Sequence, residues 1–416
     1  MVARGEQLYG YTGRLKDALN SLKRAKDVSE RNKKVILRFA DHCTAEGLSL
    51  ARTIKYVYTL KTLAQVLAMD FDKADKDDIE ALMGRIERHP KGYSEWTKKD
   101  FRVCTKKFYK WLRDTGDEFP EEVRWIKTSI RKDRKKIPDE LLTEGDVMLL
   151  VNTATNQRDK ALLITLYESG ARIGELAEAK IRQFVPDQHG AALILIGKTG
   201  MRRVRLLAAD PYLRAWLNMH PHRDDPNACI WVKNDGEPVT YSTVAGLIRR
   251  ITKRSGLKKN VHAHLFRHSR ATFLANHLTE AQLAVYFGWE QGTKMTATYV
   301  HLAGRDIDGA ILGVYGIKIE DEEGKNGKSH LPVPVDCLRC GERNPEGASF
   351  CSKCGMALNF KSAIDTDTKD LLNLVEQPNV TVDDSLLSVL IKKIDKQVEA
   401  RARELAEEMV SEQKEE

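Results

Sequence analysis

Residues 261–270 read VHAHLFRHSR and set three histidines (His262, His264, His268) and two arginines (Arg267, Arg270) within ten positions. Cations and near-cations at that density repel one another unless an anion sits among them. Other residues of the chain are of the types that share such an anion. Arg172, in ESGARIGEL, follows a small-residue break and opens a helical turn, with Glu175 one turn onward. A guanidinium placed there presents a planar fork that matches an oxyanion such as phosphate. Lys198 lies between two aliphatic runs in AALILIGKTGMRRVRLL, at the tip of an expected hairpin, where its ammonium is a reachable proton donor. Trp289 and Tyr299 follow in FGWEQGTKMTATYVHL. Each residue alone has an ordinary explanation: a solvated arginine, a turn lysine, a packed histidine, a half-buried tyrosine. Their joint order along the chain is the informative feature.

The elements that must position these groups are mostly helical. SERNKKVILRFADHCTAEG offers Ser29 as an N-cap, with Val35, Ile36 and Phe39 at helical spacing. LARTIKYVYTLKTLAQVLAM continues with Ile54, Val57, Tyr58, Leu60, Leu63, Val66 and Leu67. DKADKDDIEALMGRIER has an acidic, capped start, and YSEWTKKDFRVCTKKFYKWLRDTG is expected to end at Gly116. An all-helical first domain over residues 1–130 follows. Its lysines interleaved with Tyr, Phe and Trp suit contacts along a DNA backbone, although most of those rings also serve a core. RKDRKKIPDE (131–140) reads as a basic linker whose charge suits a phosphate backbone.

A second helical region begins at Thr143, and DKALLITLYESGARIGELAEAK is helical on both sides of Gly170. The period then changes to that of a hairpin through Lys198, and ACIWV is a further short strand candidate. From Ser242 the chain is helical again through about residue 314. The expectation for 141–317 is a mainly α, mixed α+β domain with a small antiparallel sheet. Residues 318–336 form a flexible connector, acidic and then Pro-rich. From Asp370 apolar and charged residues alternate at helical spacing, so 365–416 reads as an acidic helical tail, solvated or forming a short coiled coil.

A chain of 416 residues exceeds what one compact core organises, so the protein is multidomain. No run of 18 or more apolar residues and no leader-like N-terminus is present in the sequence, so neither a membrane span nor a secretory signal is expected. The net charge of +8 conceals a division. Residues 1–140 carry 32 Lys/Arg against 23 Asp/Glu, residues 141–320 carry 23 against 17, and residues 321–416 carry 13 against 20. The basic body suggests a polyanionic partner, of which nucleic acid is the commonest; solvated surface charge is the alternative.

The cysteines are divided as well. Cys43, Cys104 and Cys229 are scattered, while CLRCGERNPEGASFCSKCG gathers Cys337, Cys340, Cys351 and Cys354 into two Cys-x2-Cys pairs. Each pair forms a knuckle that offers two thiolates to one face of a tetrahedral Zn²⁺, with no coordination position left open. The segment 337–358 is expected to be a zinc ribbon holding structural zinc; an iron–sulfur or empty site is the alternative.

Arg172 in SGARIGEL, Lys198 in GKTGMRRVRLL, His264 and Arg267 in HLFRHSRAT, Trp289 after Phe-Gly and Tyr299 in TYVHL together resemble the tyrosine recombinases, the phage- or Xer-type integrases. The resemblance covers about residues 20–315, the first domain resembling the family's core-binding domain only in size and pattern. It implies that Tyr299 attacks a scissile DNA phosphate to give a 3′-phosphotyrosyl bond. Arg172 and Arg267 would hold the non-bridging oxygens, Lys198 would protonate the departing 5′ oxygen, and His264 would assist proton transfer. Trp289 stands where many members have His; its indole N–H can donate to phosphate but cannot shuttle a proton. Glu175 matches an acidic position that orients the site, or is a plain helix charge. His268 and Arg270 contact DNA or pack, with packing favoured for His268. The interval from Trp289 to Tyr299 is one residue longer than the commonest pattern, and the Gly-containing EQGTKM can absorb it.

By the same resemblance the chemistry needs neither metal nor ATP, and the sequence has no Gly-x4-Gly-Lys-Ser/Thr loop. The expected function is site-specific recombination on double-stranded DNA carrying attachment sites, as the integrase of a mobile element or a resolver of chromosome dimers. A type IB-like topoisomerase or a non-catalytic DNA-binding protein is the alternative. A homotetramer on two DNA sites is implied, with RDIDGAILGVYGI (305–317) docking into a neighbour or packing on its own domain. The expected location is cytoplasmic, at the nucleoid, and the ribbon or tail is the place for a protein partner.

Overall fold

The computed structural model describes residues 6–129, 140–197, 200–290, 296, 299, 331–359 and 362. Most of the basic linker (131–139), Lys198, the 305–317 segment, most of the connector (318–330) and the tail from 365 lie outside the described residues. The chain divides into two units, Met1–Pro334 and Val335–Glu416.

The first unit opens with α1 (Glu6–Tyr9), α2 (Tyr11–Lys23), α3 (Glu30–Ala45), α4 (Leu50–Leu67), α5 (Lys76–Glu87), α6 (Glu95–Leu112) and α7 (Glu121–Arg124). Side-chain caps start several of them. Ser29 Oγ accepts from the Asn32 N–H at 3.1 Å, Ser94 Oγ from Thr97 N–H at 3.2 Å, and Asp75 and Asp78 close a reciprocal capping box. In α3 the buried Ile36, Phe39, Ala40 and Cys43 form the stripe expected of one helix face. That stripe meets Leu60 and Leu63 of α4 and Phe108 of α6 in a single helical core. Helix α6 stops at Leu112, short of Gly116, because Arg113 donates to the carbonyls of Asp72 and Ala74 at 3.0 Å each and Asp114 takes φ +51°.

A second core is built from α8 (Glu144–Thr153), α9 (Gln157–Ser169), α10 (Ile173–Ala177), β1 (Phe184–Asp187), β2 (Gly190–Gly197), β3 (Gly200–Leu206), α11 (Asp210–Asn218), α12 (Tyr241–Ser255), α13 (Ala263–Leu274) and α14 (Glu280–Phe287). Helix α9 is central: it touches α8, α11, α13 and β3, and every residue from Ala161 to Ser169 is buried. This explains why its stretch ALLITLY, 161–167, carries no charged residue on any face. Leu8 of α1 also belongs to this second core, and the Tyr9 ring lies 5.5 Å from Tyr241 on α12.

The sheet is antiparallel in the order β1-β2-β3, with Phe184 opposite Leu193 and Gly197 opposite Gly200. Glu168, buried at the end of α9, accepts the N–H groups of Leu207, Ala208 and Ala209 at 2.9, 3.1 and 2.7 Å. This fixes the exit of β3 against α9. Two expectations are corrected here. FVPD forms β1, which its Pro and brevity hid from the pattern. ACIWV is not a strand: it yields two isolated bridges, Lys180 with Cys229 and Val232 with Pro238, which hold the connection onto the body without a ladder.

The second unit, as described, holds the short pair β4 (Val335–Asp336) and β5 (Arg343–Asn344) and two turns of matching design. Cys337 N–H donates to Glu342 O at 2.8 Å and Gly341 N–H to Cys337 O at 2.9 Å. Cys351 N–H donates to Met356 O at 2.7 Å and Gly355 N–H to Cys351 O at 3.0 Å.

Candidate active site

Three chain breaks converge on one place. Helix α9 ends at Gly170 (φ +54°), α14 ends at Gly288 (φ +59°), and α10 starts at Arg172. Gly170 is required twice over, by its left-handed backbone and by its neighbour. A Cβ there would lie 2.4 Å from Phe287 Cε1 on α14. Gly170→Ala is therefore expected to lower unfolding free energy by about 2–4 kcal/mol, summing backbone strain and overpacking. Urea unfolding of the full chain measures it; an unchanged midpoint would show that the two helix ends separate freely.

Arg267, on α13, is only 2% exposed and joins those two helix ends. Its Nη1 donates to Gly170 O at 2.8 Å and its Nη2 to Phe287 O at 2.7 Å. Carbonyls at helix C-termini carry the negative end of the helix dipole, so they are suited to a buried cation. The guanidinium carbon also lies 5.1 Å from the Phe287 ring centroid and 5.6 Å from that of Trp289. Burial first, and then the charges of Arg172 and Arg202, draw its pKa below the ordinary arginine value, with Glu175 and Tyr299 opposing. An anion beside it would relieve that strain.

The second guanidinium site is a clamp. Glu175 is buried, and its two oxygens accept from Arg172 Nη1 at 2.8 Å, from Arg172 N–H at 3.1 Å and from Arg202 Nη2 at 2.7 Å. Burial disfavours its charge, but Arg202 and then Arg172 hold the carboxyl below the usual carboxylate range. A Cβ on Gly197 would stand 2.5 Å from Glu175 Oε1, so β2 passes directly over this carboxylate. Arg172, at the mouth of the clamp, keeps 38% of its side chain exposed.

Arg202 is a partner that the motif pattern missed. The available signal was the strand period: Arg202, Val204 and Leu206 share the buried face of β3, and a lone arginine on a core-facing position needs a counter-charge.

Tyr299 is 3% exposed, and burial pushes its hydroxyl up to about 12, against the opposing charge of Arg267. Trp289 lies flat against it, ring centroids 5.2 Å apart and planes within 3°, and Phe287 stacks on the other side of Trp289 at 4.9 Å. The Tyr299 hydroxyl is hydrogen-bonded to His268 Nδ1. His264 is exposed one turn earlier, its ring 4.3 Å from that of His268 in an edge-on contact. Arg270 turns inward to face Glu144 at 3.6 Å and lies over the Tyr167 and Phe273 rings, so its charge is answered inside the domain. Lys198 lies outside the described residues, between Gly197 and Gly200, the closing pair of β2 and β3.

In the second unit, the Sγ atoms of Cys337, Cys340, Cys351 and Cys354 all lie within 4.8 Å of one another. The Cys337–Cys354 and Cys340–Cys351 pairs are each 3.6 Å apart. Four thiolates at about 2.3 Å from one Zn²⁺ would be roughly 3.8 Å apart, so the donor set fits that ion. Asn344, fully buried, donates to Cys351 Sγ at 3.7 Å and accepts from Ser352 N–H at 2.8 Å, tying one knuckle to β5.

The site is thus a helical domain with a three-stranded sheet that holds arginines around one carboxylate beside a buried tyrosine. Residues 140–305 match the phage integrase family, and residues 337–358 match the zinc-ribbon domain. A tyrosine recombinase of Thermosipho africanus is 24% identical over 282 residues, covering 66% of this chain and 96% of that protein. The tyrosine recombinase XerC of Lacticaseibacillus casei is 23% identical over 247 residues, covering 56% and 80%. Among solved structures, a lambda integrase dimer bound to a core site matches with a TM-score of 0.54 at 18% identity, over 73% of this chain and 83% of that one. The recombinase XerH bound to its difH substrate matches with a TM-score of 0.51 at 17% identity, over 71% and 88%. Residues 140–305 thus form a phage integrase family domain, and the curated proteins that the chain resembles are tyrosine recombinases. Among the described residues no helix is long and apolar enough to cross a membrane.

Proposed function

We propose that this site-specific DNA recombinase cleaves and rejoins its substrate with Tyr299 as the nucleophile. The observation that carries this is charge: the guanidiniums of Arg172, Arg202 and Arg267 act on one another around a single carboxylate, Glu175. A phosphodiester between Arg172 and Arg267 supplies the missing anion. The same two guanidiniums stabilise the additional charge of the pentacoordinate transition state, which needs no reorganisation because Glu175 and the helix-end carbonyls already hold them. Arg202 positions Glu175, and Glu175 positions Arg172. Trp289 sets the plane of the Tyr299 ring. Lys198 protonates the 5′ leaving oxygen, and His264 assists proton transfer from its exposed place at the rim. Arginine, lysine and histidine meet the phosphate charge, so this step calls on no metal and no ATP.

Recombination proceeds in a tetramer across two double-stranded attachment sites, in the cytoplasm where such DNA lies. Trapping on a nicked suicide substrate from the protein's own genetic neighbourhood, beside a supercoiled plasmid, tests this. A covalent adduct, with joint molecules only when two sites are present, is expected. Relaxation of any plasmid without strand exchange would assign a topoisomerase instead.

The four cysteines hold one structural Zn²⁺, whose binding supplies the folding energy of a ribbon with little core of its own. Elemental analysis is expected to give one zinc per chain. A strong chelator is expected to expose residues 337–358 to protease and leave adduct formation unchanged within about twofold, since the ion closes a structural site. Loss of adduct on chelation would place the metal in the chemistry.

A further inference from the structure

We infer that His268 is the group that takes the Tyr299 proton during strand cleavage. The inference rests on Tyr299 being the nucleophile and goes beyond it by assigning the base.

The geometry comes first. His264, Arg267 and His268 occupy one face of α13 at i, i+3 and i+4. Arg267 is fixed by two carbonyls, and His264 is exposed. His268 is half-buried, and its Nδ1 meets the hydroxyl of Tyr299, the atom that must attack phosphorus. The two rings lie 5.7 Å apart at 35°, and Trp289 stacks on the tyrosine ring. The hydroxyl is therefore held against a ring nitrogen that is a base in the tautomer protonated at Nε2.

The chemistry requires such a base. With burial raising its pKa to about 12, Tyr299 holds only about one phenolate in 10⁴–10⁵ chains near neutral pH. Of the charged and titratable groups, Arg267 acts on Tyr299 and His264 lies against His268, while Arg172, Glu175 and Arg202 act on Arg267. The Arg267 guanidinium favours phenolate formation but is no acceptor, and His264 touches the ring of His268, with no contact to the hydroxyl among those described. In the step itself the Tyr299 O–H bond breaks and its proton goes to the Nδ1 lone pair of neutral His268. The phenolate oxygen bonds to phosphorus as the P–O5′ bond breaks, and O5′ takes a proton from Lys198. On rejoining, His268 returns its proton to Tyr299. His264, whose ring edge meets His268, lines the route from the pair to solvent.

The test is single-turnover cleavage of suicide DNA by the full chain with His268→Asn and His268→Ala. Asn places an acceptor near the Nδ1 position but takes no proton. Both variants are expected to bind DNA as wild type and to cleave about 10²–10³-fold more slowly at pH 7. The deficit should shrink about tenfold per pH unit as hydroxide replaces the base, whereas the wild-type rate levels off once His268 is neutral. If Asn restores the wild-type rate, His268 only orients the hydroxyl and the inference is overturned. If Ala cleaves at the wild-type rate, His268 has no role. If wild type forms no adduct through Tyr299, the nucleophile assignment fails and this inference falls with it.

Discussion

Tyr299→Phe is expected to abolish the covalent protein–DNA adduct while leaving DNA affinity within about twofold. The substitution removes one oxygen from a side chain that is 3% exposed, stacked on Trp289 and hydrogen-bonded to His268. The ring stack is retained, so the fold should lose no more than the hydrogen bond to His268, about 1 kcal/mol. The nucleophile, in contrast, has no substitute, because water reaching the phosphate would give a hydrolysed end and not a conserved phosphotyrosyl bond. Denaturing gels of the suicide substrate separate these outcomes. An adduct of equal yield in the variant would assign the nucleophile to another residue, and loss of both adduct and DNA binding would mean that Tyr299 supports the fold.

Arg267→Lys is the second large effect, and it should be felt in both catalysis and stability. The guanidinium reaches Gly170 O and Phe287 O together, which a single ammonium at the end of a flexible stem does not. One buried carbonyl is left without a donor, at about 1–3 kcal/mol. Loss of a preorganised donor at the phosphate lowers cleavage by roughly 10²–10³-fold, and displacement of Gly170 and Trp289 adds to it. Urea unfolding and single-turnover cleavage on the same preparation measure the two parts. A variant that unfolds earlier but cleaves at the wild-type rate would reduce Arg267 to a structural staple.

The site is thus arranged so that fold and chemistry share residues. Gly170 caps α9 and accepts from Arg267; Phe287 ends α14, packs on Gly170 and begins the aromatic stack that reaches Tyr299. Glu175 caps α10 through its own backbone partner and at the same time holds two arginines. The carbonyls that hold Arg267 end α9 and α14, and the carboxylate that holds Arg172 starts α10, so the helix termini and the arginine cluster are one structure.

Much of this was legible in the chain. The caps at Ser29, Asp75 and Thr143 are local, because a side-chain oxygen meets an N–H three residues on, and local contacts survive in sequence as fixed spacings. The β2–β3 hairpin and the two Cys-x2-Cys knuckles are local for the same reason. The order Arg172, Lys198, His264, Arg267, Trp289, Tyr299 identified the family, and Cys337, Cys340, Cys351 and Cys354 the ribbon. The roles of Arg202 and His268 were not legible as such. Arg202 is set against Glu175 by the strand pairing that carries β3 past α10, and His268 gains its meaning only when Tyr299 returns to α13 from 31 residues away. ACIWV had the composition of a strand, but a strand needs a neighbour along its whole length, and the body offers it only single bridges. By itself the sequence determined which residue types the site can draw on and where several helices begin, since both are read from motifs and short-range spacing. Only the tertiary structure decided which arginines share Glu175, which histidine faces the tyrosine and which glycine must remain a glycine, because those are long-range packing contacts on which sequence spacing places no constraint.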